Sequence, residues 1–170
     1  MTKPVRMGML GLGQRGLQHL KALWQLQKEG LAQIVVLGDA FAANIQPEKL
    51  RRYIPDLPTE TIHLTTDFNA LLESKLDALY ICIPPNVHKG EVVQAAQAGI
   101  HLFVEKPQSL FLDEALEMEQ AITRSGILAT VGFQQRFDVY HEAIKAFLAD
   151  KRVVMADYAR HSPLEAHNAK

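Results

Sequence analysis

A single cysteine, Cys82, stands in the 170 residues, so an internal disulfide is excluded and the chain reads as one kept in a reducing compartment, the cytoplasm. There is no excess of charge: 18 Lys and Arg face 19 Asp and Glu, scattered without runs. That balance gives no electrostatic footprint for nucleic acid or an anionic membrane surface. No apolar run reaches the roughly 20 residues of a membrane span. The first run is broken by Gln14 and Arg15, too soon for the core of a signal peptide. The seven histidines lack metal-ligand spacing, so no metal site is expected. Internal repeats, low-complexity tracts and flexible linkers are also missing. What is left has the length of one domain, able to bury roughly 68–70% of its unfolded surface. A small neutral ligand or a cofactor suits it better than a polyanion.

Apolar runs rich in Val, Ile and Leu recur at 5–10, 33–38, 78–83, 101–104 and 127–132, with a weaker one at 62–64. Between them the spacing predicts helices over 14–28, 47–54, 67–74, 86–98, 111–125 and 138–149. On the first of these Leu17, Leu20, Leu23, Trp24 and Leu26 fall toward one side; on 86–98 Val87, Val92, Val93 and Ala96 do the same. The strand runs are continuous rather than alternating, which predicts a sheet covered on both faces. Regular alternation of strand and helix then gives an α/β fold with a doubly wound parallel sheet. Gly30, Gly99 and Gly126 each follow a helix, where a left-handed cap is wanted, and need no functional reading.

Gly11, Gly13 and Gly16, in "GLGQRG", carry the Gly-x-Gly-x-x-Gly spacing. Glycines at this spacing also serve bare structural turns. Here they follow an apolar strand and open an amphipathic helix, the context of a dinucleotide-binding turn of the Rossmann type. Gly11 permits the tight turn, Gly13 lets the backbone approach a pyrophosphate, and Gly16 lets helix and strand pack closely. The helix N-terminus supplies free N–H groups and a positive dipole end for the phosphates. Asp39 closes the second strand, where its carboxylate can accept bonds from the adenine ribose hydroxyls and repel a 2′-phosphate, favouring NAD over NADP. Its distance from Gly11 exceeds the usual spacing of about 20 residues, so a solvated strand-end aspartate is the competing reading. Arg15 on the first helical turn either touches a phosphate or is simply exposed.

With a strand order of 3-2-1-4-5-6, the ends of the later strands join the first on one rim, at the switch point where ligands bind in such sheets. Those ends read "IPPNVH", "VEKP" and "VGFQQRF". Pro84 and Pro85 stop the strand and stiffen the loop, and Asn86 is placed to cap the next helix. His88 falls on the first turn of that helix, either bracing the pocket rim or satisfied locally. Cys82, inside an apolar strand without basic neighbours, reads as packed core rather than as a reactive thiolate.

In this order, "GLGQRG", the acidic residue after the second strand, "PPNVH", "GIHLFVEKP" and "VGFQQRF" resemble the glucose-fructose oxidoreductase, inositol dehydrogenase and MocA (Gfo/Idh/MocA) family over roughly residues 4–160. The "EKP" element is the most specific mark. The resemblance implies an NAD(P)-dependent oxidoreductase that moves hydride between nicotinamide and a sugar, polyol or related hydroxyl or carbonyl compound. It implies that Lys106 reaches the reacting oxygen, that Glu105 and Asn86 line the nicotinamide ribose region, and that the Lys106–Pro107 bond is cis. The cofactor set expected is Gly11, Gly13, Gln14, Arg15, Gly16, Asp39, Pro84, Asn86, His88, Glu105 and Gln134, with Lys106 as the catalytic residue.

Family members carry a second α+β domain after the cofactor domain. Residues 1–150 are therefore expected to form the NAD(P)-binding domain, and 151–170 the start of a substrate and oligomerisation domain that is otherwise absent. On that expectation the chain alone is inactive, and a small-molecule substrate is met in a two-domain form. Asp157 and His161 imitate an Asp-x-x-x-His spacing by coincidence. The strand-like stretch 152–160 would offer an unpaired edge, which predicts a homo-oligomer through it. The alternative to an oxidoreductase is a non-catalytic dinucleotide-binding module, either a redox sensor or a partner-binding subunit. A Rossmann enzyme using S-adenosylmethionine or a nucleotide-sugar would leave "EKP" and "PPNVH" unexplained.

Overall fold

The computed structural model describes residues 3–157 and 159. They divide into two compact units, one running to Phe133 and the other starting at Gln134. In the first unit the chain runs β1 (Val5–Leu10), α1 (Gln14–Lys28), β2 (Ala32–Gly38), α2 (Pro47–Tyr53), β3 (His63–Thr65), α3 (Phe68–Leu72), β4 (Ala78–Ile81), α4 (Glu91–Gln97), β5 (His101–Val104), α5 (Leu112–Ser125) and β6 (Ala129–Val131). The second unit holds a short 3-10 turn, Gln134–Phe137, and α6 (Val139–Leu148).

All six strands are parallel and lie in the order β3-β2-β1-β4-β5-β6, as the strand pattern predicts. Successive strand residues point to opposite sides, and apart from the edge strand β6, none of whose residues is buried, both faces of the sheet carry core residues. On one face Met7, Met9, Ile34 and Leu37 pack with Leu17, Leu20 and Leu23 of α1 and Leu50 of α2. On the other, Leu10, Val36, Leu79 and Ile81 pack with Leu71 of α3, Val92 and Ala95 of α4, and Met118 of α5. Helices α1 and α4 thus leave the neighbouring strands β1 and β4 toward opposite faces. The crevice this opens is the switch point. Gly30, Gly99 and Gly126 follow helices with φ of 73°, 75° and 64°, the left-handed caps expected of them.

The helix expected over 86–98 begins at Glu91. Pro85–Val87 form a 3-10 turn instead, and Gly90, at φ 87°, redirects the chain before the helix starts. Asn86 is therefore not the helix cap, and His88 precedes the first turn. Val87 is exposed, as is Leu26 on α1. No strand is formed over 152–157, and residues 158 and 160 lie outside the described ones. Val154 is 92% and Met155 88% exposed; β-branched character alone does not make a strand when no neighbour takes its backbone groups. The edge-strand argument for an oligomer loses its strand. His161 also lies outside the described residues. No described helix is long and apolar enough to cross a membrane.

Candidate functional site

The carboxyl ends of β1, β2, β4 and β5 surround a cavity of about 450 Å³ lined by Gly11, Gly13, Gln14, Arg15, Asp39, Pro84, Glu105 and Lys106 among others. Most of the expected cofactor residues and Lys106 thus meet around one space. A second cavity of about 420 Å³ is lined by Thr65, Asp67, Asn86, Lys89 and Glu91. Asp39, Ala40, Phe41, Ile83 and Val87 line both, so Asp39 stands between the two halves of one crevice.

The glycine-rich turn has the geometry its sequence demands. Gly11 sits at φ +93°, and a Cβ there would come within 2.6 Å of the Cys82 carbonyl oxygen. A Cβ on Gly16 would lie 1.9 Å from the Gly11 carbonyl oxygen, whereas one on Gly13 would meet nothing within 4 Å. Gly16 is a packing residue beneath the turn; Gly13 is the open one. Gly13 is also the N-cap of α1, with no side-chain cap and no acidic residue in the first turn. The first N–H groups of this 15-residue helix therefore lack an intrahelical or side-chain acceptor. Such groups at a helix N-terminus are donors that an anion can take.

Asp39 is not a solvated strand-end residue. It is 6% exposed; its Oδ2 accepts the Leu12 N–H at 2.7 Å and its Oδ1 the Phe41 N–H at 2.9 Å. The carboxylate thereby ties the glycine turn to the end of β2, with a lone pair left on each oxygen for a hydroxyl donor. Arg15 is exposed and donates to Gln18 Oε1 at 2.7 Å, leaving its remaining N–H groups free to turn into the cavity it lines.

Glu105 follows the end of β5, its N–H bonded to the Ile81 carbonyl at 2.9 Å. Its side chain is fixed at both oxygens: Oε1 takes the His19 Nε2 at 2.8 Å and Oε2 the backbone N–H of Lys106 at 2.9 Å. The Lys106–Pro107 peptide is cis, as the resemblance implies. Burial pushes the Cys82 thiol up to about 12, reinforced by the charge of Glu105 and opposed by Arg15. It is therefore a neutral wall of the cavity, not a nucleophile.

Of the expected residues, Gly16, Asn86 and His88 are not among those that line the first cavity. Asn86 lines the second cavity rather than the first. His88 is turned inward, its side chain 4% exposed, with Nδ1 in a long contact of 3.4 Å with Glu91 Oε2. Burial would raise the Glu91 carboxyl, but the His88 ring and the Lys89 N–H outweigh it and hold it low. Gln134 belongs to the second unit. Conversely, Phe41, Asn44 and the Thr65–Asp67 segment line the crevice without having been singled out. Their signal was positional: each follows the carboxyl end of a strand. No group of three or more His, Cys, Asp or Glu side chains among the described residues is placed to hold a metal.

The sequence profile of the Gfo/Idh/MocA oxidoreductase family, NAD-binding Rossmann fold, matches residues 5–133. The chain belongs to the Gfo/Idh/MocA family. It is 30% identical over 154 residues to the oxidoreductase YrbE of Bacillus subtilis (strain 168), covering 90% of this chain and 42% of that protein. To the scyllo-inositol 2-dehydrogenase (NAD(+)) of the same organism it is 27% identical over 177 residues, covering 95% and 49%. This Gfo/Idh/MocA chain thus spans less than half the length of either relative. In fold it is similar to the scyllo-inositol dehydrogenase of Lactobacillus casei, solved with bound NAD(H) and scyllo-inositol, at a TM-score of 0.72 and 24% identity over 87% of this chain and 41% of that one.

Proposed function

We propose that the crevice binds a nicotinamide dinucleotide, NAD in preference to NADP, and presents it for hydride transfer to or from a sugar, polyol or related hydroxyl or carbonyl compound. One observation carries the reading: the uncapped N-terminus of α1, opened at Gly13, shares a cavity with Asp39, Glu105 and Lys106. The first N–H groups of α1 would hold the pyrophosphate, with Arg15 adding charge at the rim. Asp39 would accept the adenosine ribose hydroxyls between the two cavities, and the Thr65–Asp67 segment and Asn86 would enclose that half of the cofactor. A 2′-phosphate would meet the same buried carboxylate, with no cation among the residues common to both cavities.

When bound, the nicotinamide supplies or accepts the hydride. Lys106, the ammonium beside Glu105, would polarise a carbonyl or take up the hydroxyl proton at the reacting oxygen. The names of the relatives point to cyclic polyols as substrates to try first. This chain contributes the wall of the substrate site that holds Lys106.

The test is a parallel titration with NADH and NADPH followed by nicotinamide fluorescence, repeated with Asp39→Ser. NADH is expected to bind more tightly to the native chain, with the preference shrinking in the variant. Failure of both nucleotides to bind overturns the reading. Where polyol-dependent NAD reduction is measurable, Lys106→Ala is expected to lower it by about 100-fold or more, with NADH affinity within about twofold of native.

A further inference from the structure

The glycine-rich turn and Lys106 lie on elements that are not neighbours in the sheet: β1 and β5 are separated by β4. A bridge joins them over β4. His19, one turn into α1 from Gly16, packs its ring on Phe103 of β5 at 4.9 Å between centroids and 59°, and on Tyr80 of β4 at 5.5 Å and 48°. Tyr80 and Phe103 are themselves stacked at 4.6 Å and 24°. This aromatic floor sets the imidazole so that Nε2 meets Glu105 Oε1 at 2.8 Å. A carboxylate oxygen can only accept, so Nε2 carries the proton. The pair is mostly shielded, with side chains 23% and 14% exposed. A charge-assisted hydrogen bond is stronger there than at an exposed site.

Glu105 has little freedom to move away. Its other oxygen holds the Lys106 N–H, and its carboxylate fills the place where a side chain on residue 132 would begin. A Cβ on Gly132 would lie 3.3 Å from Glu105 Oε1 and 3.0 Å from the Phe103 ring.

We propose that His19 is a positioning residue: by fixing the Glu105 carboxylate, which in turn holds the backbone N–H of Lys106, it locks the loop bearing Lys106 to the helix bearing the dinucleotide-binding turn. The consequence for cofactor and substrate rests on the function proposed above; the lock itself does not. Its effect is to set the spacing between the phosphate-binding end of α1 and the Lys106 ammonium, a distance that hydride transfer tolerates poorly when loosened.

The experiment compares the full chain with His19→Ala, His19→Gln and His19→Asn, reading amide exchange at Lys106 by NMR without cofactor, and NADH affinity in parallel. The Gln side-chain nitrogen reaches the position of Nε2, and that of Asn falls short. Both lose the ring equally, so their difference isolates the hydrogen bond from the packing. Lys106 exchange is expected to quicken about tenfold in His19→Ala and His19→Asn and to return to within about twofold of native in His19→Gln, with NADH affinity following the same order. Equal Lys106 exchange in His19→Gln and His19→Asn overturns the lock, and this comparison stands even if His19→Ala fails to fold. If the native chain binds no NADH while Lys106 exchange still separates Gln from Asn, the dinucleotide reading falls and the lock survives.

Discussion

Helix α1 in the first unit and helix α6 in the second are both amphipathic, yet they end in opposite conditions. Helix α1 buries Gly16, Leu17, Leu20 and Leu23, whereas α6 buries none of its residues, and Val139, Tyr140 and Phe147 are 74%, 75% and 65% exposed. The apolar stripe of α1 lies against a parallel sheet. The stripe of α6 is left exposed among the described residues. Helix α6 is instead held from its end, where Asp138 Oδ1 accepts the N–H groups of Tyr140 at 2.9 Å and His141 at 3.4 Å. Those bonds also hold the Asp138 carboxyl below its ordinary value. Periodicity thus specifies that a segment is helical; burial depends on whether a complementary surface exists.

Truncating one stripe and then the other sharpens this contrast most. Leu20 is fully buried, so Leu20→Ala is expected to cost about 4 kcal/mol, the lost burial plus the cavity left behind. Ile144, half exposed on α6, is expected to cost less than about 0.5 kcal/mol when changed to Ala. Urea midpoints measure both. An Ile144→Ala loss comparable to that of Leu20→Ala would mean that α6 is covered in solution, and the contrast between the units would fail.

Within the first unit the same comparison can be made between two glycines of one motif. Gly16→Ala forces a Cβ against backbone, 1.9 Å from the Gly11 carbonyl oxygen, and is expected to cost about 3 kcal/mol. Gly13→Ala meets open space and is expected to change stability by less than about 1 kcal/mol, while weakening NADH through the methyl it adds to the phosphate cradle. Denaturant unfolding beside nucleotide titration separates the two. Equal stability losses would show that the turn relaxes around Gly16, and that its close packing is not what the third glycine serves.

What the sequence made legible follows the same division. Strand order, the helices that cover the sheet and the meeting of Gly11, Asp39, Glu105 and Lys106 could be anticipated, because continuous apolar runs and strand-end punctuation report on burial and chain reversal directly. The segment after β4 misled because Asn86 and His88 look like the start of a helix. The left-handed Gly90 and the preceding 3-10 turn, set by neighbouring backbone rather than by periodicity, delay that start to Glu91. The stretch 152–157 misled for the complementary reason, since a strand is a property of two segments and the pattern of one cannot supply its partner. His19 was missed because its partner lies 86 residues away, a contact no local pattern encodes. The competing reading of Asp39 as a solvated residue fell to the same kind of evidence, a bond from Leu12 across 27 residues.

The smallest expected effect tests how far the dry packing of the first unit extends into the wall of its own cavity. Cys82 lines the crevice yet is 9% exposed, and burial moves its thiol from the ordinary 9.0 up to about 12. The folded chain therefore keeps the proton over a range in which the unfolded chain has lost it. Stability is unaffected below about pH 9 and falls as pH rises from there toward 12, by about 1.4 kcal/mol per pH unit for this one group. Comparing urea unfolding at pH 8 and pH 10 for the native chain and for Cys82→Ala isolates the thiol from the other groups that titrate in alkali. The native chain is expected to lose about 1.4 kcal/mol more than the variant over that interval. Identical losses would mean that water reaches Cys82 and that the crevice wall, unlike the core beneath α1, is wet. The Glu105 carboxylate would then work in a more screened setting, and its bonds to His19 and Lys106 would weigh correspondingly less in fixing the loop.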